Sequence, residues 1–233
     1  MSSLYKLEDY CLFFLDFMGQ CKKLGDSNNV EKEIGKMSNA ILYLKETTNI
    51  KHIAHRQQFS DTVLIYFKTT SLSRGDINER LNILIGRIGY IFLQCLVNGM
   101  PFRGVGLVGK GVELEENNFY GPVLLEASKL EKTIPQYPRV VLTNSIVNYL
   151  DDNSSQRLYT DVDGCRCINP LSEKILEEMK KISSPYKFYK NCLDFIEKEK
   201  NEHPDELYIS SKYTRLENMF KKFGKNWENQ KDE

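Results

Sequence analysis

Asp16 is the residue whose surroundings first suggest chemistry. It interrupts an apolar run in the segment LFFLDFMGQ, residues 12–20, which ends in Met18, Gly19 and Gln20. Such a run is typical of a strand that is buried on both faces. A chain seldom keeps a buried carboxylate without a cation, a cluster of donors or a metal, because an unpartnered one is strongly destabilising. The sequence therefore predicts a partner for Asp16.

Asp61 is the only other carboxylate in comparably apolar surroundings, in QFSDTVLIYF at a turn between two predicted strands. In a split βαβ arrangement the first strand lies beside this hairpin, so the strand end and the hairpin turn meet at one edge of the sheet. Two carboxylates there repel each other unless a cation lies between them, and their hard oxygen ligands suit Mg²⁺ or Mn²⁺. The spacing is equally compatible with an alternative, in which Asp16 caps the next helix and Asp61 stabilises its turn.

The residues after Asp16 suggest an anion site. A tight turn at Gly19 leading into a helix would present the backbone N–H groups of Met18, Gly19 and Gln20 to a bound phosphate, which helix N-termini favour. Mg²⁺ and Mn²⁺ usually complete their coordination with water and substrate phosphates. We therefore expect this segment to bind a triphosphate.

The hydrophobic pattern predicts alternating strands and helices, in the order β, α, β, β, α, β, α, β. The predicted helices begin or end at recognisable signals, such as Ser73 or Asp76 as an N-cap and Gly99 as a terminator. The pattern favours an α+β fold. The predicted strands cover residues 10–17, 52–68 in two halves around a turn at 59–61, 102–121 with a loop at 115–118, and 139–143, and the helices cover 28–47, 73–98 and 121–134.

Beyond residue 170 the chain changes character. EKILEEMKKI, YKFYKNCLDFIEKEK and KYTRLENMFKKFGKNW are predicted helices joined by SSP and HPDE. We expect residues 1–170 to form the α+β domain and residues 171–233 to form a helical C-terminal extension packed on it. The polar composition from about residue 225 predicts a disordered tail.

Charge and composition exclude several classes of partner. The chain has 32 basic and 32 acidic residues, and this zero net charge argues against binding to nucleic acid or an anionic membrane. No apolar run in the sequence approaches the roughly 20 residues that span a bilayer. The six cysteines are scattered and lack the spacing of a zinc site. These features predict a soluble, cytoplasmic protein with reduced thiols.

Five short motifs, in order over residues 10–170, resemble those of class III nucleotidyl cyclase domains. FLDFMG fits F-x-D-x-x-G, FSD carries the hairpin aspartate, RG heads a glycine-rich strand, GPVLLEASKLE fits G-x-x-L-x-E-A-x-x-L-E, and PRV begins a strand. The set is most similar to that of a divergent bacterial branch, the pyrimidine cyclases of the Pycsar anti-phage system. The matching positions are Phe14, Asp16 and Gly19; Phe59, Ser60 and Asp61; Arg103 and Gly104; Gly121, Glu126, Ala127, Leu130 and Glu131; and Pro138, Arg139 and Val140.

The resemblance implies a ferredoxin-like sheet with flanking helices, and a homodimer whose active sites lie between the protomers. It implies attack of a ribose 3′-hydroxyl on the α-phosphate of a nucleoside triphosphate, with two Mg²⁺ or Mn²⁺ ions per active site. Asp16 and Asp61 are the expected metal ligands, with the Phe17 carbonyl as a third. Arg103 is the expected catalytic cation at the α-phosphate.

Departures from the wider class bear on the substrate. Purine cyclases resemble one another in a lysine just before the hairpin aspartate, where it reads the base, and here Arg56 or Gln57 takes its place in HRQQFSD. A bulky Arg56 would shorten the base pocket and favour a pyrimidine, with UTP preferred over CTP. Purine cyclases also carry an asparagine and an arginine four residues apart on a helix. Leu125 and Lys129 occupy those positions, so Lys129 is the expected substrate-binding replacement.

Three readings of function follow from the resemblance. The first is a pyrimidine cyclase whose product activates a separate effector protein during phage infection. The second is a catalytically silent module that binds a nucleotide or dimerises, and the third is a purine cyclase that uses ATP or GTP. Retention of both Asp16 and Asp61 favours an enzyme over the silent module.

Overall fold

The computed structural model describes residues 5–18, 30–47, 53–114, 118–181, 184–203 and 205–232. Within these ranges the strands form one sheet with helices on both faces. The strands are β1 (Glu8–Phe17), β2 (His55–Phe59), β3 (Thr62–Lys68), β4 (Phe102–Glu113), β5 (Phe119–Tyr120), β6 (Val140–Leu142), β7 (Leu158–Thr160) and β8 (Arg166–Ile168). The helices are α1 (Val30–Thr47), α2 (Arg74–Val97), α3 (Pro122–Thr133), α4 (Asn144–Val147), α5 (Asp152–Ser155), α6 (Glu173–Met179), α7 (Pro185–Glu202), α8 (Leu207–Phe223) and α9 (Lys225–Glu228), followed by a 3₁₀ turn (Asn229–Asp232).

The sheet has the strand order β2-β3-β1-β4-β6-β8-β7, and β5 pairs with the end of β4. Neighbouring strands are antiparallel except β4 and β6, which are parallel. The first four strands, in the order β2-β3-β1-β4 and connected through α1 and α2, form the ferredoxin-like arrangement. The predicted α+β fold is therefore confirmed. The hairpin of β7 and β8 was not expected from the sequence.

The sheet separates two apolar cores. On one face, Phe13, Leu15 and Ile65 join the core formed with α2, and we call this the α2 face. On the other, Leu12 and Leu64 join the core formed with α3, and we call this the α3 face. Because successive strand residues point to opposite faces, β1 is buried on both and has an almost unbroken apolar sequence.

Helix α2 begins at the predicted N-cap. The Ser73 hydroxyl accepts from the backbone N–H of Asp76, and the Asp76 carboxylate accepts from the backbone N–H of Ser73, forming a capping box. By length and composition α2 could cross a membrane, but buried core helices pass the same test. Here its apolar residues, from Ile77 to Leu96, are largely buried against the sheet and the C-terminal helices.

Residues 225–232 form α9 and the 3₁₀ turn, so the disordered tail expected from about residue 225 is wrong. Trp227 is fully buried at 0% exposure, and its indole N–H donates to the Leu171 carbonyl at 3.0 Å. One tryptophan buries enough apolar area to anchor a short polar segment. Trp227 and Phe220 of the C-terminal helices belong to the same core cluster as Phe13 of the sheet.

Candidate active site

Asp16 and Asp61 meet at the end of β1. Asp16 pairs with Thr62 of β3 on one side and with Arg103 of β4 on the other. The backbone N–H of Phe17 donates to the Asp61 carbonyl at 3.1 Å, which holds the hairpin turn against the strand end. The strand end and the hairpin turn therefore lie together, as the sequence predicts.

The hairpin turn places Asp61 through an unusual backbone conformation. Ser60 has a φ of 51°, in the left-handed region that few residues other than glycine adopt. The Gln58 side-chain amide donates to the Ser60 carbonyl at 3.2 Å and so supports the turn. The turn brings Asp61 directly beside the strand end that carries Asp16.

Asp16 is partly buried and has polar contacts to both of its carboxylate oxygens. The Thr62 hydroxyl donates to Oδ1 at 3.2 Å, and Arg103 Nη2 lies 3.8 Å from Oδ2. Burial raises the pKa of Asp16 to about 6, with the Glu131 and Asp61 carboxylates acting in the same direction and Arg103 and Thr62 opposing it. Negative charge therefore exceeds positive charge around Asp16.

Arg103 reaches the site from the beginning of β4. Its Nε forms an ion pair with Glu131 of α3, whose side chain is only 3% exposed. The following residue must be glycine, because a Cβ at Gly104 would lie 2.5 Å from the Phe14 carbonyl oxygen and 2.6 Å from the Leu15 side chain. Close contact between β1 and β4 thus explains the Arg-Gly pair of the sequence motif.

The chemistry of these donors fits a hard divalent cation. Asp16, Asp61 and Glu131 supply three carboxylates against the single guanidinium of Arg103, and this excess of negative charge is what a cation would neutralise. The described residues contain no group of three or more His, Cys, Asp or Glu arranged to hold a metal ion. Two carboxylates suit Mg²⁺ or Mn²⁺, which keep water and substrate phosphates in their remaining positions.

Comparison with solved structures decides the fold. A bacterial light-regulated adenylyl cyclase superposes with a TM-score of 0.52 at 13% identity, over 77% of this chain and 58% of that chain. The chain has the fold of a nucleotidyl cyclase domain. The adenylyl cyclase CyaB from P. aeruginosa gives a TM-score of 0.47 at 16% identity, over 62% of this chain and 81% of that chain.

A guanylyl cyclase domain, that of the RhoGC fusion protein from the aquatic fungus Blastocladiella emersonii, gives a TM-score of 0.49 at 12% identity, over 70% of this chain and 95% of that chain. No protein-family model matches the sequence, and no curated protein matches it. Because one fold hosts many functions, the activity of this chain depends on the residues of its site and does not follow from the cyclase fold alone.

The expected triphosphate-binding segment is only partly described. The backbone N–H of Met18 donates to the Pro101 carbonyl at 2.8 Å, which joins the end of β1 to the residue before β4. Met18 therefore does not present its N–H to a phosphate, and the expectation for this residue is wrong. Gly19 and Gln20 lie outside the described residues.

Arg56 and Gln57 lie on different faces of the cyclase sheet. Gln57 pairs with Leu64 and so lies on the α3 face, as Asp16 does. Arg56 pairs with Ile65 and so lies on the α2 face, opposite the face of Asp16. The buried Gln57 side-chain carbonyl accepts from the backbone N–H of Phe119 at 2.9 Å, linking β2 to β5.

Helix α3 carries Leu125 and Lys129, which take the places of the purine-cyclase asparagine and arginine, and it also carries the buried Glu131. Leu125 is 59% exposed and Lys129 is also exposed, and no contact of the Lys129 side chain with Asp16 or Asp61 is seen in the described residues. Glu131 continues the buried row of Val123 and Ala127 at intervals of four residues. That spacing is the sequence signal that places Glu131 against the sheet, although sequence reasoning did not assign it to the site.

Replacement of Asp16 by asparagine is expected to stabilise the metal-free chain by about 1–2 kcal/mol at pH 7.5, after allowance for partial exposure. Because burial raises the pKa of Asp16 to about 6 in the folded chain, its ionisation opposes folding near neutral pH. Its protonation favours the folded state, and this gain is lost as the pH rises through about 6. The advantage of the variant should therefore shrink towards zero as the pH falls to about 4.

The measurement is urea unfolding in EDTA at several pH values, with Asp152→Asn on the exposed side of α5 as the matched control. The control should show no such pH-dependent gain. A less stable Asp16→Asn chain at pH 7.5 would contradict the electrostatic account of this site.

Proposed function

We propose that this chain is a nucleotidyl cyclase that converts a pyrimidine nucleoside triphosphate, UTP in preference to CTP, to its 3′,5′-cyclic monophosphate and pyrophosphate. The observation that carries the proposal is the meeting of Asp16 and Asp61 beside Arg103 on one end of the sheet. Carboxylates that hold a cation, together with a positioned guanidinium, are what phosphoryl transfer requires.

The residues of the chain have distinct parts in this reaction. Asp16 and Asp61 hold two Mg²⁺ or Mn²⁺ ions, with the Phe17 carbonyl as a third ligand. When bound, these ions lower the pKa of the ribose 3′-hydroxyl and neutralise charge on the triphosphate. The Thr62 hydroxyl orients Asp16 by donating to Oδ1 at 3.2 Å. Arg103 stabilises the charge that develops on the α-phosphate.

Gln57 is the proposed specificity residue, because it lies on the α3 face with Asp16. A lysine at the equivalent place reads the base in purine cyclases, so Gln57→Lys is expected to shift the ratio of kcat/KM towards ATP or GTP by about tenfold. Arg56→Ala should leave that ratio unchanged, since Arg56 lies on the α2 face. Competition assays with mixed triphosphates measure the ratio.

Gln57→Met is the matched control for this change. It removes the acceptor for the Phe119 N–H, as lysine does, without adding a cation. A shift in base preference in the methionine variant as well would assign the effect to the lost hydrogen bond. A shift in Arg56→Ala would restore Arg56 to the base pocket.

The proposed enzyme is a cytoplasmic homodimer with active sites between protomers. Large apolar side chains are exposed on the hairpin that carries Asp61 and on α3, including Phe59 at 44% and Leu125 at 59%. A second protomer would cover such side chains. The cyclic product would carry the signal to a separate effector protein in phage defence, without contact to nucleic acid or membrane by this chain.

The deciding experiment offers the purified chain each of the four ribonucleoside triphosphates separately, with Mn²⁺ or Mg²⁺, and identifies the products by mass spectrometry. Cyclic UMP or cyclic CMP as the dominant product supports the proposal and identifies the base. Cyclic AMP or GMP keeps the chemistry and overturns the pyrimidine preference. No cyclic product from any triphosphate points to the silent module, in line with the replacement of the helix asparagine by Leu125.

A further inference from the structure

Glu131 holds the only arginine that contacts Asp16 in the described part of the chain. The Arg103 Nε faces Glu131 Oε1, while its Nη2 lies 3.8 Å from Asp16 Oδ2. The first contact is a direct ion pair, whereas the second is longer than a hydrogen bond. The Arg103 guanidinium is therefore bound more closely to Glu131 than to Asp16. Its positive charge acts on Asp16 without a hydrogen bond between the two side chains.

The Glu131 carboxylate is buried and almost inaccessible to solvent. Its side chain is 3% exposed, against 20% for Arg103 and 23% for Asp16. Among the described residues, Glu131 Oε1 and Arg103 Nε lack a hydrogen-bond partner of good geometry, so these two buried atoms are held by their ion pair. The buried row of Val123, Ala127 and Glu131 packs α3 against the sheet, so the carboxylate has a fixed place above β4.

Without this anchor Arg103 would have another carboxylate within reach. A guanidinium carries five donors in a rigid fork and binds a carboxylate through two parallel hydrogen bonds where geometry allows. A movement of less than 1 Å would bring Nη2 from 3.8 Å to hydrogen-bonding distance of Asp16. Arg103 would then occupy the carboxylate that a cation needs.

We propose that Glu131 is a positioning residue that holds Arg103 back from Asp16 and so leaves the Asp16 carboxylate open to a divalent cation. The proposal rests on the proposed role of Asp16 as a metal ligand. It assigns to the last glutamate of the EASKLE segment an action through Arg103, at a distance from the reacting atoms. It also explains why a buried carboxylate is retained on α3 opposite the beginning of β4.

The test is a double-mutant cycle on Mn²⁺ binding, measured by calorimetry on the full chain without nucleotide. Glu131→Gln is expected to weaken Mn²⁺ binding by about tenfold or more, as outer-shell changes at metal sites commonly do. In an Arg103→Gln background the same change should weaken binding by no more than about threefold, because the competing guanidinium is gone. Glu126→Gln, an exposed position on the same helix, is the matched control and should bind as the unsubstituted chain does.

Several results would overturn the proposal. Equal losses in the two backgrounds would show that Glu131 acts on the cation directly, and no loss in the first would show that Arg103 needs no anchor. If the unsubstituted chain does not bind Mn²⁺, Asp16 is not a metal ligand and the proposal fails. Should Glu131→Gln fail to fold, the Arg103→Gln chain still decides: it must bind Mn²⁺ at least as tightly as the unsubstituted chain, and weaker binding refutes competition by Arg103.

Turnover measurements separate this inference from the proposed function. With the triphosphate that the product screen identifies, Glu131→Gln should lose activity mainly at low Mn²⁺, and saturating Mn²⁺ should restore kcat to within about threefold. A loss that saturating Mn²⁺ leaves unchanged contradicts the proposal. If no triphosphate yields a cyclic product but the binding cycle behaves as expected, the cyclase function fails and the role of Glu131 stands.

Discussion

Replacement of Asp61 by alanine is expected to lower the rate of cyclic nucleotide formation by about a thousandfold or more, while the chain stays folded. The large effect follows because a bound cation supplies several kcal/mol of stabilisation to the transition state, and one of its two carboxylate ligands is lost. The fold should persist because the contact that ties this turn to β1 is made by the Asp61 backbone carbonyl, which alanine keeps.

The measurement is kcat with saturating triphosphate and Mn²⁺, accompanied by circular dichroism and thermal unfolding. Asp194→Ala, which removes an exposed carboxylate on α7, is the matched control and should retain full activity. Turnover within tenfold of the unsubstituted chain by a folded Asp61→Ala protein would remove Asp61 from the metal site.

The sequence was most informative where the hydrophobic pattern of a segment matches its burial in the fold. The unbroken apolar run of β1 with one carboxylate in it predicts a strand buried on two faces, which the structure has, and the carboxylate lies at the strand end beside the hairpin. The Ser73 and Asp76 pair likewise predicts where α2 begins. In these places local propensity and tertiary packing favour the same structure, which is when a pattern can be interpreted directly.

The sequence was least informative where the answer depends on strand register. Arg56 and Gln57 are neighbours in a short polar strand, and nothing in HRQQF indicates which of them faces the α3 side. A shift of one residue in the pairing would exchange their faces. Only the pairing of Gln57 with Leu64 across the hairpin assigns Gln57 to the face of Asp16.

Tertiary contacts explain the remaining differences. Met18 was expected to donate to a phosphate, but the distant Pro101 carbonyl lies within hydrogen-bonding distance of its N–H. The polar composition of the C-terminus predicts disorder, and a single buried tryptophan, Trp227, reverses that outcome. Both contacts join residues far apart in sequence, which composition and periodicity do not reveal.

Arg103→Gln is expected to reduce kcat by about a hundredfold to a thousandfold at saturating Mn²⁺, the cost of removing one positioned donor from a developing negative charge. Arg103 is placed for this role because β4 begins beside the end of β1, where its guanidinium lies near Asp16. Arg103→Lys should be intermediate, since lysine keeps the charge but loses the planar fork that matches phosphate oxygens.

The gradation between these variants separates a catalytic from a structural arginine. Lys110→Gln is the matched control, because it removes an exposed cation from the same strand, where it pairs with Asp9, and should leave kcat unchanged. If Arg103 only neutralised Glu131, both Arg103 variants would lose thermal stability while the folded fraction kept its kcat. If Arg103 acts at the α-phosphate, the loss should appear in kcat at every Mn²⁺ concentration, because no additional metal replaces a donor directed at the transferring group.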